Sequence, residues 1–429
     1  SMGAGCRQSQ INGSCEGNRT NMADSKNMRL LAHDNLLGFG KMGEGIAMQV
    51  TGDGRRVMWV AHESAPKNYT GVDVTDPKNP KVVVQTDLPH NSMRSNSLDL
   101  CGDILAVAYQ TLGPKGLGDP GLDMDPAGIE LFDVSDPENP KSLALYSCKG
   151  PGSFGVHQLW FADGEYIHFA GGASDFVAHN PNDSQIYQCI DVRDPSNPKE
   201  VGRWWLPGTR VGDDEAPPKR HPQFDSGFRA HNTNVYPERP DRLYLCYLDG
   251  GTFIMDISDK SNPTVIGSWN PHPPYPGFAH TALPLFDRDL MIVTDECIRN
   301  NGEDWPKLTW VVDIREETNP VPISTLPLPP VEEMSRRGGR YGSHNLHENQ
   351  PGTFKSDTLV FGTYFNGGVR VHDISNPYQP KEVASFVPET PEGSRAGAVQ
   401  INDVYVDTDG TVFCVDRFTG GLYALELNI

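Results

Sequence analysis

Val72–Pro80 reads Val-Asp-Val-Thr-Asp-Pro-Lys-Asn-Pro, and variants of this stretch recur along the chain. The variants share an aspartate at the second position and a closing proline, and they lie at Phe132–Pro140, Ile190–Pro198, Met255–Pro263, Val312–Pro320 and His372–Pro380. Their first aspartates are 57 to 65 residues apart. A fixed period of this length indicates a repeat architecture in which each unit is one supersecondary element.

The third repeat shows the internal order of a unit. Apolar runs at Val156–Phe161, Tyr166–Ala170, Gln185–Val192 and Lys199–Trp204 predict four short strands. An Asp-Gly turn joins the first two strands, and the Asp-Pro-Ser-Asn-Pro turn joins the last two, because proline presets one backbone angle and Asp or Asn caps the turn. Four-stranded antiparallel units repeated radially are the blades of a β-propeller.

Counting the units predicts an all-β, seven-bladed β-propeller. The seventh unit contains only three strands, at Asn402–Val406, Thr411–Val415 and Leu422–Leu427. We expect Met28–Asp34 to supply its missing outer strand, because this pairing would join the two ends of the chain and cover an exposed sheet edge. The sequence therefore predicts one propeller over residues 28–429 and a disordered polar tail over residues 1–27.

Composition limits the classes of partner. The 429 residues carry a net charge of −20, which disfavours nucleic acid or an anionic membrane as a partner. No apolar run approaches the roughly 18 residues that a membrane span needs. No leader peptide is recognisable, which favours a cytoplasmic protein; export stays open, because Ser1-Met2 resembles a cloning remnant. The oligomeric state stays open as well.

The eight cysteines contain no Cys-x-x-Cys pair, which disfavours thiolate zinc or redox chemistry. Five of them lie in or beside apolar strand-like runs and are predicted to be buried free thiols: Cys101, Cys189, Cys246, Cys297 and Cys414. Cys6 and Cys15 could pair with each other in an exported protein.

Four of the thirteen histidines occupy the same position in successive repeats, at the start of the strand that lines a propeller channel: His157, His231, His280 and His344. The equivalent residues of the other units are Ile46, Asn96 and Asn402. Four neutral imidazoles without a carboxylate suit a mononuclear Fe(II), Cu or Zn ion better than Mg or Ca. Hydrogen-bonded channel histidines, or histidines used for acid–base chemistry without a metal, are the alternatives.

Other polar residues are predicted on the same face. Glu296 is the preferred carboxylate for orienting a ligand histidine, with Glu348 in reserve. Arginines could hold the carboxylate or phenolate of a substrate, and the candidates are Arg94, Arg229 and Arg417. His62 and His347 are candidates for moving a proton.

The Asp-Val/Ile-Ser-Asp-Pro-x-Asn-Pro turns, each after an apolar strand, resemble the LVIVD-repeat family of β-propellers, and the resemblance covers about Ile46–Phe386. It implies the propeller fold and leaves the activity open. The four-histidine ring is similar in kind to the metal sites of carotenoid cleavage oxygenases and of selenium-binding/methanethiol oxidase propellers. These two are analogies of site, because their motifs do not align with this chain.

The sequence therefore favours a metal-dependent enzyme, with a non-haem oxygenase or oxidase acting on a small aromatic or unsaturated organic substrate as the leading hypothesis. Fe(II) is the favoured ion. A redox-neutral lyase, dehydratase or isomerase that uses the metal as a Lewis acid is a close alternative. A non-catalytic propeller scaffold or binding protein is a third hypothesis, of a different class.

Overall fold

The computed structural model describes residues 24–112, 127–150 and 152–429. Two short strands come first, β1 (Asp24–Lys26) and β2 (Met28–Asp34). The first two repeats contain β3 (Met42–Val50), β4 (Arg56–His62), β5 (Lys67–Asp73), β6 (Lys81–Asp87), β7 (Met93–Cys101), β8 (Ile104–Thr111), β9 (Gly128–Asp133) and β10 (Lys141–Ser147).

The third to fifth repeats contain β11 (Val156–Trp160), β12 (Tyr166–Gly171), β13 (Ile186–Asp191), β14 (Lys199–Trp204), β15 (Thr233–Asn234), β16 (Arg242–Cys246), β17 (Thr252–Asp256), β18 (Thr264–Trp269), β19 (Ala279–Leu285), β20 (Leu290–Asp295), β21 (Thr309–Asp313) and β22 (Val321–Thr325). The last strands are β23 (Leu359–Thr363), β24 (Val369–Asp373), β25 (Lys381–Val387), β26 (Ile401–Val406), β27 (Val412–Asp416) and β28 (Gly421–Leu427). The helical segments in the described residues are short, namely α1 (Val331–Met334) and two 3-10 turns at Pro181–Asp183 and Phe286–Arg288.

The strands form antiparallel sheets of four consecutive neighbours, as the repeat pattern predicts. The first two groups, β3–β6 and β7–β10, share one sheet because β4 and β7 pair at a single position, His62 with Ser95. In the sixth repeat the predicted first strand is reduced to one bridge, between Leu346 and Gly362. The fold is therefore all-β, built from four-stranded antiparallel sheets.

The repeated turns depend on one local hydrogen bond. The first aspartate of every repeat accepts a hydrogen bond through Oδ1 from the backbone N–H two residues later, at distances of 2.7 to 3.0 Å: Asp73, Asp133, Asp191, Asp256, Asp313 and Asp373. An aspartate that caps its own turn in this way reverses the chain after the third strand of each group. The motif that recurs in the sequence thus marks the turn between the last two strands of a repeat.

The first strands of the groups lie side by side. β3 contacts β7, β7 contacts β11, and β11 contacts β15. β26 contacts both β23 and β3, so the last group lies beside the sixth and the first. Side chains at the same position of these strands consequently approach one another, although they are about 60 residues apart in sequence.

The N-terminal segment joins the edges of two sheets. β2 pairs with β28 from Met28 with Leu427 to Asp34 with Leu422, which is the partner that the sequence predicts for Met28–Asp34. β1 pairs with β25 of the neighbouring sheet. Residues 24–26 thus form a strand, although the sequence analysis placed them in a disordered tail over residues 1–27. Residues 1–23 lie outside the described residues.

The cysteines that the sequence assigns as thiols are free: Cys101, Cys189, Cys246, Cys297 and Cys414, with Cys101 half-buried. Cys6 and Cys15 lie outside the described residues. Among the described residues, no helix has the length and apolar character that crossing a membrane requires.

The junction between β1 and β2 allows a stability test. Met28 is buried in a cluster with Phe386 and Leu425, which come from the two neighbouring sheets, whereas Leu30 on the same strand is 43 % exposed. We expect Met28→Ala to destabilise the protein by about 2–3 kcal/mol, because it leaves a cavity between the sheets. The matched variant Leu30→Ala should cost less than about 1 kcal/mol. Thermal unfolding measures both, and equal losses would contradict a role of Met28 in joining the sheets.

Candidate metal centre

The four predicted histidines lie together, each at or just before the start of the first strand of its group. His157 is in β11 and His280 is in β19, while His231 and His344 precede the first pairings of their groups. Neighbouring rings follow in sequence order, with centroids 4.7 Å apart for His157 and His231, 3.9 Å for His231 and His280, and 4.5 Å for His280 and His344. The Nε2 atoms of His157 and His231 are 3.0 Å apart. The structure therefore brings all four imidazoles into one cluster.

Each ring is oriented by a hydrogen bond at its Nδ1 atom. The partners are Gln110 Oε1 at 3.1 Å from His157, Asn232 Oδ1 at 2.9 Å from His231, Thr281 Oγ1 at 2.7 Å from His280 and the Asn402 carbonyl at 2.7 Å from His344. A hydrogen bond at one ring nitrogen decides which nitrogen carries the proton. For His231 and His344 the partner is an oxygen that can only accept, which places the proton of both rings on Nδ1.

The amide orientations behind two of these bonds follow from further contacts. Gln110 Oε1 also accepts a hydrogen bond from Arg94 Nε at 2.9 Å. Asn232 Nδ2 donates to Glu348 Oε1 at 2.8 Å, which leaves Asn232 Oδ1 facing His231. The Nδ1 atom of His231 is therefore the protonated one, and its Nε2 lone pair points at His157. The Nδ1 atom of His157 lies beside both an acceptor, Gln110 Oε1, and a donor, Arg94 Nη2.

The two Nε2 atoms are close enough to share either the ring proton of His157 or a cation. Burial, then the neighbouring His280, lowers the pKa of His231 to about 4, and burial lowers the pKa of His157 well below its usual value. Both rings are therefore uncharged at neutral pH, which is the form in which imidazole binds a metal. The 3.0 Å separation matches adjacent nitrogen ligands at about 2.1 Å from one transition ion. The Nε2 atoms of His280 and His344 are also buried without a hydrogen-bond partner.

Glu44 lies among the four Nε2 atoms, and the sequence-based expectation of a site without carboxylates is wrong. Its Oε2 is 3.5 Å from His280 Nε2, and its Oε1 is 3.5 Å from His344 Nε2. Oε2 is also 3.8 Å from His231 Nε2 and 3.9 Å from His157 Nε2. Burial acts to raise the pKa of Glu44, but the close approach of His280 and His344 outweighs it and holds the pKa well below its usual value.

Glu44 reaches this position because two glycines flank it. A Cβ on Gly43 would lie 2.3 Å from the Asn96 carbonyl oxygen, and one on Gly45 would lie 2.4 Å from the Leu98 nitrogen. β3 can therefore approach β7 closely only without side chains at these two positions. The β3–β4 pairing also shifts register between Met42 and Ile46. The Gly-Glu-Gly triplet was the sequence signal that could have indicated Glu44.

Glu296 lies on the Nε2 side of the histidines, and its predicted position behind a ligand ring is incorrect. Its Oε1 is 3.5 Å from His344 Nε2, and its Oε2 is 3.8 Å from His280 Nε2. Burial acts to raise its pKa, but His344, Arg340 and His280 outweigh it and lower the pKa to about 2. Two overlapping sets of ligand atoms therefore lie close enough to hold an ion: Glu44 with His231 and His280, and Glu296 with His280 and His344.

Glu348 is connected to the cluster through an amide. It accepts hydrogen bonds from Asn232 Nδ2 and Asn234 Nδ2, both at 2.8 Å, and Asn232 in turn orients His231. Burial raises the pKa of Glu348 to about 7. Glu348 thus has the orienting contact that the sequence analysis expected of Glu296, and it acts through Asn232.

The predicted substrate-binding arginines lie next to the histidines. Arg94 Nη1 and Arg417 Nη2 both donate to Glu63 Oε1, at 2.6 and 2.5 Å, and Arg94 Nη2 is 3.4 Å from His157 Nδ1. Sequence reasoning missed Glu63. It directly follows β4, as Glu296 follows β20 and Arg417 follows β27, so the same repeat alignment could have found it.

Two further arginines, Arg229 and Arg340, lie near Arg94, Arg417 and Glu296. Arg340, also missed, donates through Nη1 to Glu296 Oε1 at 2.6 Å. The Nε atom of Arg229 is buried and has no hydrogen-bond partner, and burial lowers the pKa of this guanidinium. The guanidinium cluster therefore consists of Arg94, Arg229, Arg340 and Arg417.

His62 and His347 are not available for proton transfer, contrary to the prediction. The ring of His62 is bonded to the Lys41 carbonyl at 3.0 Å and to Thr70 Oγ1 at 2.7 Å. The ring of His347 is bonded to the Phe354 carbonyl at 2.7 Å and to the backbone N–H of Val406 at 3.2 Å. Burial lowers the pKa of each to about 4. Both rings instead cross-link neighbouring backbone segments.

Comparison with known proteins agrees with the fold. A family model described as LVIVD repeat matches residues 243–270, which span most of β16 to β18 and the fourth repeated turn. The chain contains an LVIVD repeat. This match supports the family resemblance seen in the recurring turns, and no curated protein matches the chain.

Among solved structures, this chain is similar to the β-propeller domain of Cps50 (Swd1) from Myceliophteria thermophila. The TM-score is 0.52 at 12% sequence identity, and the similarity covers 90% of this chain and 97% of that one. At this identity the likeness establishes the β-propeller fold alone.

The raised pKa of Glu348 predicts that the stability of the protein depends on pH. Its pKa is about 7 in the folded protein and lies near 4.3 in an unfolded chain, so the folded state binds more protons between these values and loses stability as the pH rises. Glu348→Gln keeps an oxygen for Asn232 and Asn234 but carries no charge. We expect it to exceed the parent in stability by up to about 3 kcal/mol at pH 8 and to match it near pH 4.

Unfolding temperatures of parent and variant between pH 4 and 8.5 measure this difference. The exposed Glu165→Gln is the control and should show no such trend. A difference between Glu348→Gln and the parent that does not change with pH would contradict the assignment.

Proposed function

We propose that this chain is a seven-bladed β-propeller that holds one divalent transition ion in its central channel and acts as a metal-dependent enzyme. The contacts of β26 with both β23 and β3 support a closed ring of seven groups. The pairing of β2 with β28 supports closure by the N-terminal strand.

The observation that carries the proposal is the convergence of the histidine Nε2 atoms while their Nδ1 atoms are hydrogen-bonded to the protein. Ligand imidazoles in metalloproteins have this arrangement, with the outer nitrogen donating to a protein oxygen. His62 and His347, by contrast, hydrogen-bond to the protein through both ring nitrogens. The residues present therefore fit a metal ion.

The proposed ligands are His157, His231, His280 and His344, with Glu44 as a carboxylate ligand beside them. Imidazole nitrogens with a carboxylate suit Fe(II), which we favour, and also accept Cu or Zn. The negative charge of Glu44 would offset part of the charge of a divalent ion in this buried site. Glu296, whose oxygens lie near the Nε2 atoms of His280 and His344, would also offset part of the charge of the ion. It accepts a hydrogen bond from Arg340 at the same time.

A non-haem oxygenase or oxidase acting on a small aromatic or unsaturated compound is the leading activity. A bound ion would supply redox capacity or Lewis acidity next to the guanidinium cluster. The redox-neutral alternative needs a protein base near the ion. The hydrogen bonds of His62 and His347 to the protein leave that alternative without its predicted bases.

Metal content of the purified protein, measured by mass spectrometry, tests the centre. We expect about one equivalent of transition metal in the parent and less than a tenth of that in a His231→Gln/His280→Gln variant, because half of the nitrogen ligands are gone. The control is His168→Gln, a buried histidine of the third group that bonds Tyr187 and has no contact with the ring.

Iron or copper in the purified protein would support an oxidoreductase, whereas zinc would favour the redox-neutral lyase, dehydratase or isomerase. A parent that binds no transition metal after anaerobic reconstitution would contradict the enzyme and favour the scaffold hypothesis.

Glu44→Gln tests the carboxylate ligand. The amide keeps the size of the side chain but lacks its charge, so we expect metal affinity to fall at least about tenfold in competition with a chelator. Asp99→Asn is the control, because Asp99 is buried in the same channel but bonds the backbone of Leu100 and Phe161. Unchanged affinity in Glu44→Gln, with the fold intact, would remove Glu44 from the ligand set.

A further inference from the structure

Arg229 is a half-buried cation whose Nε atom is buried without a hydrogen-bond partner. It lies two residues before His231, and its guanidinium makes no hydrogen bond or ion pair with the described residues. Among the carboxylates, Asp249 acts most strongly on Arg229; its Oδ2 atom accepts the backbone N–H groups of Ser226 and Gly227, and its Oδ1 atom makes no hydrogen bond. Partial desolvation of a charge that forms no ion pair costs free energy, and an anion bound at Arg229 would offset that cost.

The other guanidinium groups have donors to spare as well. Arg94, Arg340 and Arg417 share two carboxylates, those of Glu63 and Glu296. Arg417 Nη1 is buried and has no hydrogen-bond partner. The four guanidinium groups thus outnumber the two carboxylates that hydrogen-bond to them, while the charges of Glu44 and Asp249 act on Arg417 and Arg229 without a hydrogen bond. A divalent ion in the histidine ring would add further positive charge.

The unpaired donors lie close to the proposed metal site. The charges of Arg94 and Arg229 both act on His157, and those of Arg229 and Arg417 both act on Glu296. An anion held by Arg229 and Arg417 would thus be next to the histidine ring. The geometry already suits carboxylates, because Glu63 Oε1 accepts two guanidinium groups at 2.5 and 2.6 Å.

We propose that Arg229 and Arg417 bind the carboxylate of the substrate, so that the enzyme acts on a small aromatic or unsaturated organic acid. This inference rests on the proposed function for the position of the reacting atoms, but the anion site itself does not need the metal. A guanidinium binds a planar carboxylate through two parallel N–H groups, which orients the rest of the acid as well as holding it. The unpaired charge of Arg229 thus lowers the stability of the protein, and the same charge orients the substrate.

Benzoate and its uncharged analogue benzamide are the probes, with inorganic phosphate as a third arm. Thermal shift and calorimetry on the full chain should show saturable binding of benzoate, and at least tenfold weaker binding of benzamide and phosphate. Arg229→Met should weaken benzoate at least tenfold and Arg229→Lys less, while the ligand-free Arg229→Met protein unfolds at the same or a higher temperature than the parent. Arg299→Gln, which removes a charge from a loop outside the cluster, should bind benzoate like the parent.

Three results would overturn the inference: benzamide binding as tightly as benzoate, phosphate binding more tightly than benzoate, or Arg229→Met retaining parental affinity. Metal content of the same samples separates the two proposals. If benzoate binding depends on Arg229 in a protein that takes up no metal, the anion site is supported and the metal-dependent enzyme is contradicted. If the protein binds metal but does not select benzoate, the metal centre is supported and the anion site is contradicted.

Discussion

The close packing of the first strands is the constraint on which the rest of the molecule depends. β3 and β7 approach so closely that a single Cβ at Gly43 or Gly45 would overlap the backbone of the neighbouring strand. Few side chains fit into a channel this narrow, and those that enter it meet side chains from distant repeats. Glu44, projecting between the two glycines, consequently contacts four histidines that belong to four different groups of strands.

Burial then sets the charges in this channel. It lowers the pKa of His231 and of His157, so their rings are neutral at neutral pH. For Glu44 and Glu296, neighbouring rings and Arg340 outweigh the effect of burial, and both carboxylates stay ionised. Neutral imidazoles with ionised carboxylates are the protonation states in which these residues bind metal, and the guanidinium cluster beside them places positive charge where an anion would dock.

Sequence comparison between repeats found those site residues that share a repeat position. The four histidines are aligned by the period, and Glu296 and Arg417 follow the second strand of their groups. The same comparison assigned Ile46 to the first repeat and missed Glu44, because the register shift between Met42 and Ile46 changes which residue faces the channel. His62 and His347 were misassigned because their hydrogen bonds to Lys41, Thr70, Phe354 and Val406 depend on the folded chain.

The sequence by itself determined the repeat, the four-stranded antiparallel units and the four equivalent histidines. Each of these depends on local chemistry, such as the aspartate that caps its own turn two residues on, and local contacts are visible in a linear pattern. Only the tertiary structure decided which groups meet: Glu44 among the Nε2 atoms, Glu63 between two arginines, and Arg229 without a partner. These contacts join residues tens to hundreds of positions apart, and small shifts in strand register and packing decide them.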